Sequence, residues 1–236
     1  IIYIKSSMHI LLTRPLDDCM DMILRFKSLG HNVSHLPLLN VERVENDQLN
    51  FSQFKAIIFT SANAIKFLDT RKFDKKMFCF CVGNATEKKA KSVGFQNVFA
   101  AEGNVSNLKE LIFQNFSPSD GKIIYFSGEL LSSNLDEELI REGYNLQRIV
   151  NYRTKHNEKF DEKFIEQLKL NIPEIVYVYS QNSALSFLSF IKNYQSESLW
   201  MNTNLMCIGE KTSSILNEIK WKKIFLFSPG EEEFLL

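Results

Sequence analysis

The chain has 236 residues, 44% hydrophobic and 24% charged, an ordinary globular composition with room for one large domain or two small ones. Lys+Arg and Asp+Glu are 28 each, so formal net charge is zero and there is no whole-surface field for nucleic acid or an anionic membrane; a local positive site stays open. No apolar run reaches the ~20 residues of a membrane-spanning helix.

Residues 1–7 carry one charge, Lys5, and no signal-peptide layout, and Met8 stands directly before the first strand pattern. They read as a tag or upstream extension, and the expected compartment is the cytoplasm. His9–Arg14 is an apolar run ending in polar residues. Met20, Ile23, Leu24 and Lys27 then step at helical spacing, and Gly30 falls where a helix end needs a left-handed residue. A long β-rich link covers 33–44. The run Ala56–Phe59 leads into Thr60-Ser61-Ala62-Asn63, and Met77–Val82 leads into Gly83-Asn84-Ala85-Thr86. Cys79 and Cys81 share one face of that second strand. With Cys19, Cys207 and four scattered histidines they form no metal-ligand spacing, so the cysteines read as small core residues and no metal is expected. After Asn97–Ala100 and Gly103 comes another helix pattern. Lys122–Ser127 is a strand leading to Gly128. Leu131, Leu135, Glu138 and Leu139 follow at helical spacing before Gly143, and a second β-rich link covers 146–154. Val176–Tyr179 precedes Ser180-Gln181-Asn182-Ser183, and Cys207-Ile208 precedes Gly209-Glu210-Lys211-Thr212. Lys223–Leu226 and Gly230 end the series, with a last helix pattern cut short at Glu231–Leu236.

The order repeats. Gly30-His-Asn-Val33 answers Gly143-Tyr-Asn-Leu146 at an offset of 143 − 30 = 113. Ala56–Leu68 answers Val176–Leu188 at an offset of 120, with Thr60 on Ser180 and Phe67 on Phe187. Cys81-Val-Gly83 answers Cys207-Ile-Gly209 at an offset of 126. Strands alternating with helices imply parallel sheets with helices on both faces. Two copies imply an α/β fold of two similar, flavodoxin-like lobes. The economical division joins 8–32 with 155–236 as one lobe and sets 45–145 as the other, with 33–44 and 146–154 as inter-lobe strands. Chain order alone equally allows two contiguous lobes.

In parallel α/β sheets, ligands bind beyond the carboxyl ends of the strands. The candidate binding residues are therefore Arg14; Thr60, Ser61 and Asn63; Gly83 and Thr86; Ser127 and Gly128; Ser180, Gln181 and Asn182; and Gly209, Lys211 and Thr212. Each turn opens a helix, whose free N–H groups attract carboxylates or phosphates. Singly, each Ser, Thr or Asn is as well read as a helix N-cap. Together, on matching edges of two lobes, they point to a site. No Gly-x-Gly-x-x-Gly, Walker loop or Gly-x-Ser-x-Gly elbow is present, which argues against a nucleotide cofactor and a serine nucleophile. A site this poor in acids and bases points to binding and orientation of one small, highly anionic molecule. A bilobal anion receptor or a two-lobed regulatory module is the rival to an enzyme.

Ile10-Leu-Leu-Thr-Arg-Pro15, Phe59-Thr-Ser-Ala-Asn-Ala64, Val82-Gly83 with Thr86, Tyr152-Arg-Thr154, and Ile208-Gly209 with Thr212 resemble, in order and spacing, the uroporphyrinogen-III synthase family. The resemblance implies two α/β lobes joined by a two-stranded β-ladder, the first lobe discontinuous. It implies a cofactor-free lyase that cyclises hydroxymethylbilane, a linear tetrapyrrole with eight carboxylates, inverting the last ring and losing water. It implies that Tyr152, at the linker, assists departure of the hydroxyl. A monomer, and a transient contact with the preceding enzyme of the pathway, are further expectations. From the residues alone, Tyr152 is equally a packing residue of the β-rich link.

Overall fold

A computed structural model describes residues 7–46, 50–102 and 105–228. The expectations for residues 1–6, Gly103, Gly230 and Glu231–Leu236 lie outside the described residues. The elements are β1 (His9–Leu12), α1 (Leu16–Ser28), β2 (Asn32–His35), β3 (Leu39–Arg43), β4 (Phe54–Phe59), α2 (Ala62–Lys66), β5 (Phe78–Val82), α3 (Asn84–Ser92), β6 (Asn97–Ala101), α4 (Val105–Asn115), β7 (Lys122–Gly128), α5 (Leu135–Arg141), β8 (Leu146–His156), α6 (Glu162–Leu170), β9 (Ile175–Val178), α7 (Gln181–Asn193), β10 (Asn204–Cys207), α8 (Glu210–Ile215) and β11 (Lys223–Leu226).

They divide into two compact units, unit 1 of residues 1–40 and 155–236 and unit 2 of residues 41–154. Unit 1 carries the sheet β11-β10-β9-β1-β2, parallel throughout. Unit 2 carries β6-β5-β4-β7-β8, also parallel, with β3 beside β8. Strand for strand the two orders coincide: β1 answers β7, β9 answers β4, and β10 answers β5. Numbered from the strand that opens each repeat, both sheets read 2-1-3-4-5, the flavodoxin-like order.

Burial explains why the apolar runs are strands. Residues alternate across a strand, so a run apolar at every position can only be buried on both faces. In unit 1, Leu11, Val176 and Leu205 pack into one core, and Ile10, Leu12, Ile175, Tyr177 and Met206 into the core on the opposite face. In unit 2, Ile57, Phe59, Ile124 and Phe126 face one way, and Ala56, Ile58, Ile123 and Tyr125 the other. All four cysteines are free and buried, and burial pushes the Cys207 thiol up to about 12, so it behaves as a hydrophobe.

Gly30 and Gly143 end α1 and α5 identically. Gly30 N–H donates to Lys27 O and His31 N–H to Phe26 O; Gly143 N–H donates to Ile140 O and Tyr144 N–H to Leu139 O. This double bond pattern needs a left-handed residue, and φ is +87° and +88°.

Three details differ from the sequence reading. The inward stripe of α1 is Cys19, Ile23 and Phe26, while Met20 and Leu24 are exposed; Leu16, Met20 and Leu24 form a second apolar stripe, and spacing alone does not say which one the sheet takes. The link 33–44 is two strands, β2 and β3, because Pro37 has no N–H to continue a ladder; β2 pairs with β1 in unit 1. Leu131 precedes α5 and packs on its core from the turn before it.

Candidate functional site

Each sheet reverses winding direction between its first and third strands, where a crevice opens at the carboxyl edge. In unit 2 this is the β7/β4 boundary, and it gathers Thr60, Ser61, Asn63, Ser127, Gly128 and Tyr152. Parallel pairing of β7 with β8 shifts register between Ser127 and Gly128, so that Gly128 stands opposite Tyr152. That bulge re-aims the strand end. Gly128 is buried against the Tyr152 ring, and a Cβ there would lie 2.9 Å from Cε2 and Cζ and 3.1 Å from the hydroxyl oxygen. Glu129 N–H donates to Tyr152 O at 3.0 Å. Tyr152 is half-buried and packs on the core beneath, so backbone and ring are both held.

Arg148 belongs to none of the candidate turns read from the sequence. Its Nε donates to Ser127 Oγ at 2.8 Å, and one terminal nitrogen donates to Gly128 O at 3.0 Å and Glu129 O at 3.1 Å. The guanidinium thus staples the turn beneath Tyr152. The only available signal was an Arg on the strand next to the turn, and that becomes meaningful once the β7–β8 register is known.

The hydroxyls of Thr60, Ser61, Ser127 and Ser180 are engaged within the protein. Thr60 Oγ1 and the Tyr125 hydroxyl share a 3.0 Å hydrogen bond. Ser61 Oγ accepts from Asn63 N–H and caps α2; Ser180 Oγ accepts from Ser183 N–H and caps α7. Ser127 is buried, and Thr86 and Thr212 are each 4% exposed. Asn63 is half-buried, while Gln181, Asn182 and Lys211 are exposed on first helical turns.

In unit 1, Thr13 Oγ1 donates to Tyr177 O at 2.6 Å, tying β1 to β9 at the winding reversal. Arg14 follows. Its guanidinium lies 4.8 Å from the Tyr179 ring centre and 3.7 Å from an Asp18 carboxylate oxygen, and its carbonyl is bonded to His35 Nε2 at 2.7 Å.

The strands one in from the sheet edge, β5 and β10, end on the most closely matched pair of turns. Gly83 caps α3 with φ +78° and ψ 153°, and Gly209 caps α8 with φ +78° and ψ 165°. That backbone region is essentially open to glycine alone. Neither helix has a side-chain cap, and a Cβ on either glycine would meet nothing within 4 Å. The helical ladders begin with Glu87 N–H to Gly83 O and Ser213 N–H to Gly209 O. The N–H groups of Asn84, Ala85 and Thr86, and of Glu210, Lys211 and Thr212, precede those bonds and are the donors that a helix start leaves over. An acceptor-rich ligand fits such turns.

Hollows lie elsewhere in each unit. One of about 380 Å3 in unit 2 is lined by Phe126, Ile149 and Asn151 among others, and one of about 750 Å3 sits at the amino edge of the unit 1 sheet beside His9 and His31.

A profile of the uroporphyrinogen-III synthase HemD family matches residues 21–227. Among solved structures, uroporphyrinogen-III synthetase from Helicobacter pylori is 20% identical with a TM-score of 0.64, covering 97% of each chain. A mutant uroporphyrinogen III synthase from Thermus thermophilus is 14% identical with a TM-score of 0.50, covering 93% of this chain and 92% of that one. At these identities the likeness is one of fold. No curated protein sequence matches.

Proposed function

The chain belongs to the uroporphyrinogen-III synthase family, and from that premise we propose how its residues carry the reaction. The family's enzyme is a cyclising lyase of tetrapyrrole synthesis: it closes hydroxymethylbilane to uroporphyrinogen III, inverting the last ring and releasing water.

The observation that carries the reading is the pair Gly83 and Gly209: the same glycine-only backbone, the same open space and the same unspent N–H groups at repeat-related turns. In each unit such turns offer backbone donors to the substrate's carboxylates: Gly83 and the start of α2 in unit 2, Gly209 and the start of α7 in unit 1. Arg14 and Lys211 add charge. Spreading the contacts over many turns fixes the folded shape of a flexible chain, and the shape decides which carbon of the last ring is attacked. Tyr152 gives its phenolic proton to the departing hydroxyl, which leaves as water, and the proton released on ring closure restores the tyrosine. Gly128 and Arg148 position that ring.

The finer architecture is part of the proposal. The units are two lobes, the first discontinuous, and the chain passes between them at 40/41 and again at 154/155. β3 and β8 are neighbours. Val44 N–H donates to Asn151 O and Asn157 N–H to Leu38 O, so numbers fall on one strand as they rise on the other, the pattern of an antiparallel ladder. The enzyme works as a cytoplasmic monomer without a cofactor; among the described residues no helix is long and apolar enough to cross a membrane. Light scattering at assay concentration checks the monomer.

The test of function is incubation with freshly made hydroxymethylbilane, followed by separation of product isomers. The type III isomer in excess over the spontaneous type I product is the expected result. Type I alone, at the uncatalysed rate, overturns the reading.

A further inference from the structure

The two units share a strand register as well as a strand order. In unit 1, Leu12 of β1 pairs with His35 of β2; in unit 2, Tyr125 of β7 pairs with Arg148 of β8. The offset of the repeat carries one pair onto the other, since 125 − 12 = 113 and 148 − 35 = 113. His35 therefore holds in unit 1 the place that Arg148 holds in unit 2, on the strand beside the one that ends at the crevice.

Both side chains reach the same turn. Arg148 donates to Ser127 Oγ and to the carbonyls of Gly128 and Glu129. Counted back by 113, that turn starts at Arg14, and His35 Nε2 donates to the Arg14 carbonyl at 2.7 Å. A carbonyl only accepts, so Nε2 carries the proton. The Cys19 thiol also approaches that carbonyl, at 3.8 Å, but it is a weak donor. Leu36 N–H donates to Leu12 O and Leu38 N–H to Thr13 O. Three successive carbonyls, of Leu12, Thr13 and Arg14, are thus met from the segment 35–38, the last of them by a side chain. Pro15 follows and has no N–H to give.

What this turn presents is the Arg14 guanidinium, 4.8 Å from the Tyr179 ring centre and 3.7 Å from an Asp18 carboxylate oxygen. Its direction depends on where the Arg14 backbone is held. We propose that His35 is a positioning residue of the unit 1 rim: it touches no ligand and acts through Arg14, fixing the turn from which the guanidinium meets an anion. The role rests on the reading of Arg14 as a binding residue.

The test measures binding apart from turnover. Mellitate, the hexacarboxylate of benzene, is titrated into the full chain by calorimetry, and KM and kcat for hydroxymethylbilane are read in the isomer assay. His35→Leu is expected to weaken mellitate binding and to raise KM about tenfold, the loss expected of Arg14→Ala, with kcat little changed. His35→Gln keeps an N–H near the place of Nε2 and is expected to restore both, as is His35→Arg, the donor that unit 2 uses. Because His35 acts through Arg14, the double variant Arg14→Ala/His35→Leu is expected to be no worse than Arg14→Ala alone. If His35→Leu does not fold, His35→Asn, whose amide is too short to reach Arg14 O, takes its place. A lower Tm with unchanged binding, failure of both His35→Gln and His35→Arg to recover it, additive losses in the double variant, or no mellitate binding by the wild type overturns the proposal. Any of these with type III product from the wild type leaves the family reaction standing. Type I alone, with mellitate binding that depends on His35, sinks that reaction and leaves the positioning role in place.

Discussion

Gly128 and Tyr152 stand opposite each other across a register shift, and the closest ring atoms lie 2.9 Å from where a Cβ on Gly128 would be. Such a distance forces something to move. Gly128→Ala therefore displaces the Tyr152 ring. The expected result is a fall in kcat comparable to loss of the tyrosine itself, with a folded protein by circular dichroism, since the strand carries no positive φ there. Unchanged kcat means the ring's position is immaterial to turnover.

Tyr152→Phe keeps the packing on the core of unit 2 and removes only the hydroxyl. Removal of one proton-donating group typically costs about 10²–10⁴-fold in rate. A loss of that order in kcat, with KM changed little, is expected from steady-state kinetics with isomer analysis. Wild-type kcat returns Tyr152 to a packing role.

Gly83→Ala and Gly209→Ala meet no neighbours, so their cost is backbone strain alone. A non-glycine residue in that region costs about 1–3 kcal/mol. Because the two backbones match, urea unfolding is expected to give similar losses for both, and both are expected to raise KM by turning the helix starts. A large difference between the two variants contradicts the matched-turn assignment.

Arg14→Ala removes a guanidinium held by Tyr179 and Asp18. With binding spread over many amides, each contact contributes about 0.3–1 kcal/mol, up to ~2 when partly buried. KM is expected to rise about tenfold, since ~1.4 kcal/mol is tenfold, and to climb gradually with salt as screening trims every contact. Complete loss of binding with the fold intact would show that one arginine clamp does the holding.

Gln195 has φ +46° after α7, the place Gly30, Gly94 and Gly143 take after α1, α3 and α5. Its N–H donates to Lys192 O and that of Ser196 to Ile191 O, so the same helix ending is made at the expense of a strained side-chain-bearing residue. Gln195→Gly is expected to stabilise by about 1 kcal/mol, raising Tm by roughly 2–4 °C for a chain of this size. Scanning calorimetry checks it, and a lower Tm refutes it.

The sequence shows most clearly what depends on local order. Gly30 and Gly143 were readable because a left-handed helix end has few alternatives to glycine, and Ile175–Val178 because four apolar residues in a row need cover on both faces. The repeat made the strand orders comparable before any pairing was known. What escaped depends on which strand lies beside which. Arg148 reaches Ser127 only because β7 and β8 are neighbours in a particular register. Thr60 meets Tyr125 because β4 lies beside β7. The choice between two apolar stripes on α1 was likewise made by the sheet. The motif hydroxyls of Ser61 and Ser180 cap α2 and α7, since a helix start needs its caps whether or not a ligand arrives.

The division of the chain also sets a timetable for synthesis. Ile10 in β1 pairs with Ile175 in β9, 165 positions later, while unit 2 is one uninterrupted stretch from 41 to 154. At the usual 5–20 residues per second of elongation, β1 waits on the order of 8–33 s for its partner to leave the ribosome. Unit 2 has every strand of its parallel sheet before then. The nascent protein therefore ripens from the middle outward, and Ile10, Leu11 and Leu12, wholly buried at the end, have only α1 and β2 to cover them through the interval and lack their β9 edge, the span in which a holdase chaperone has something to grip.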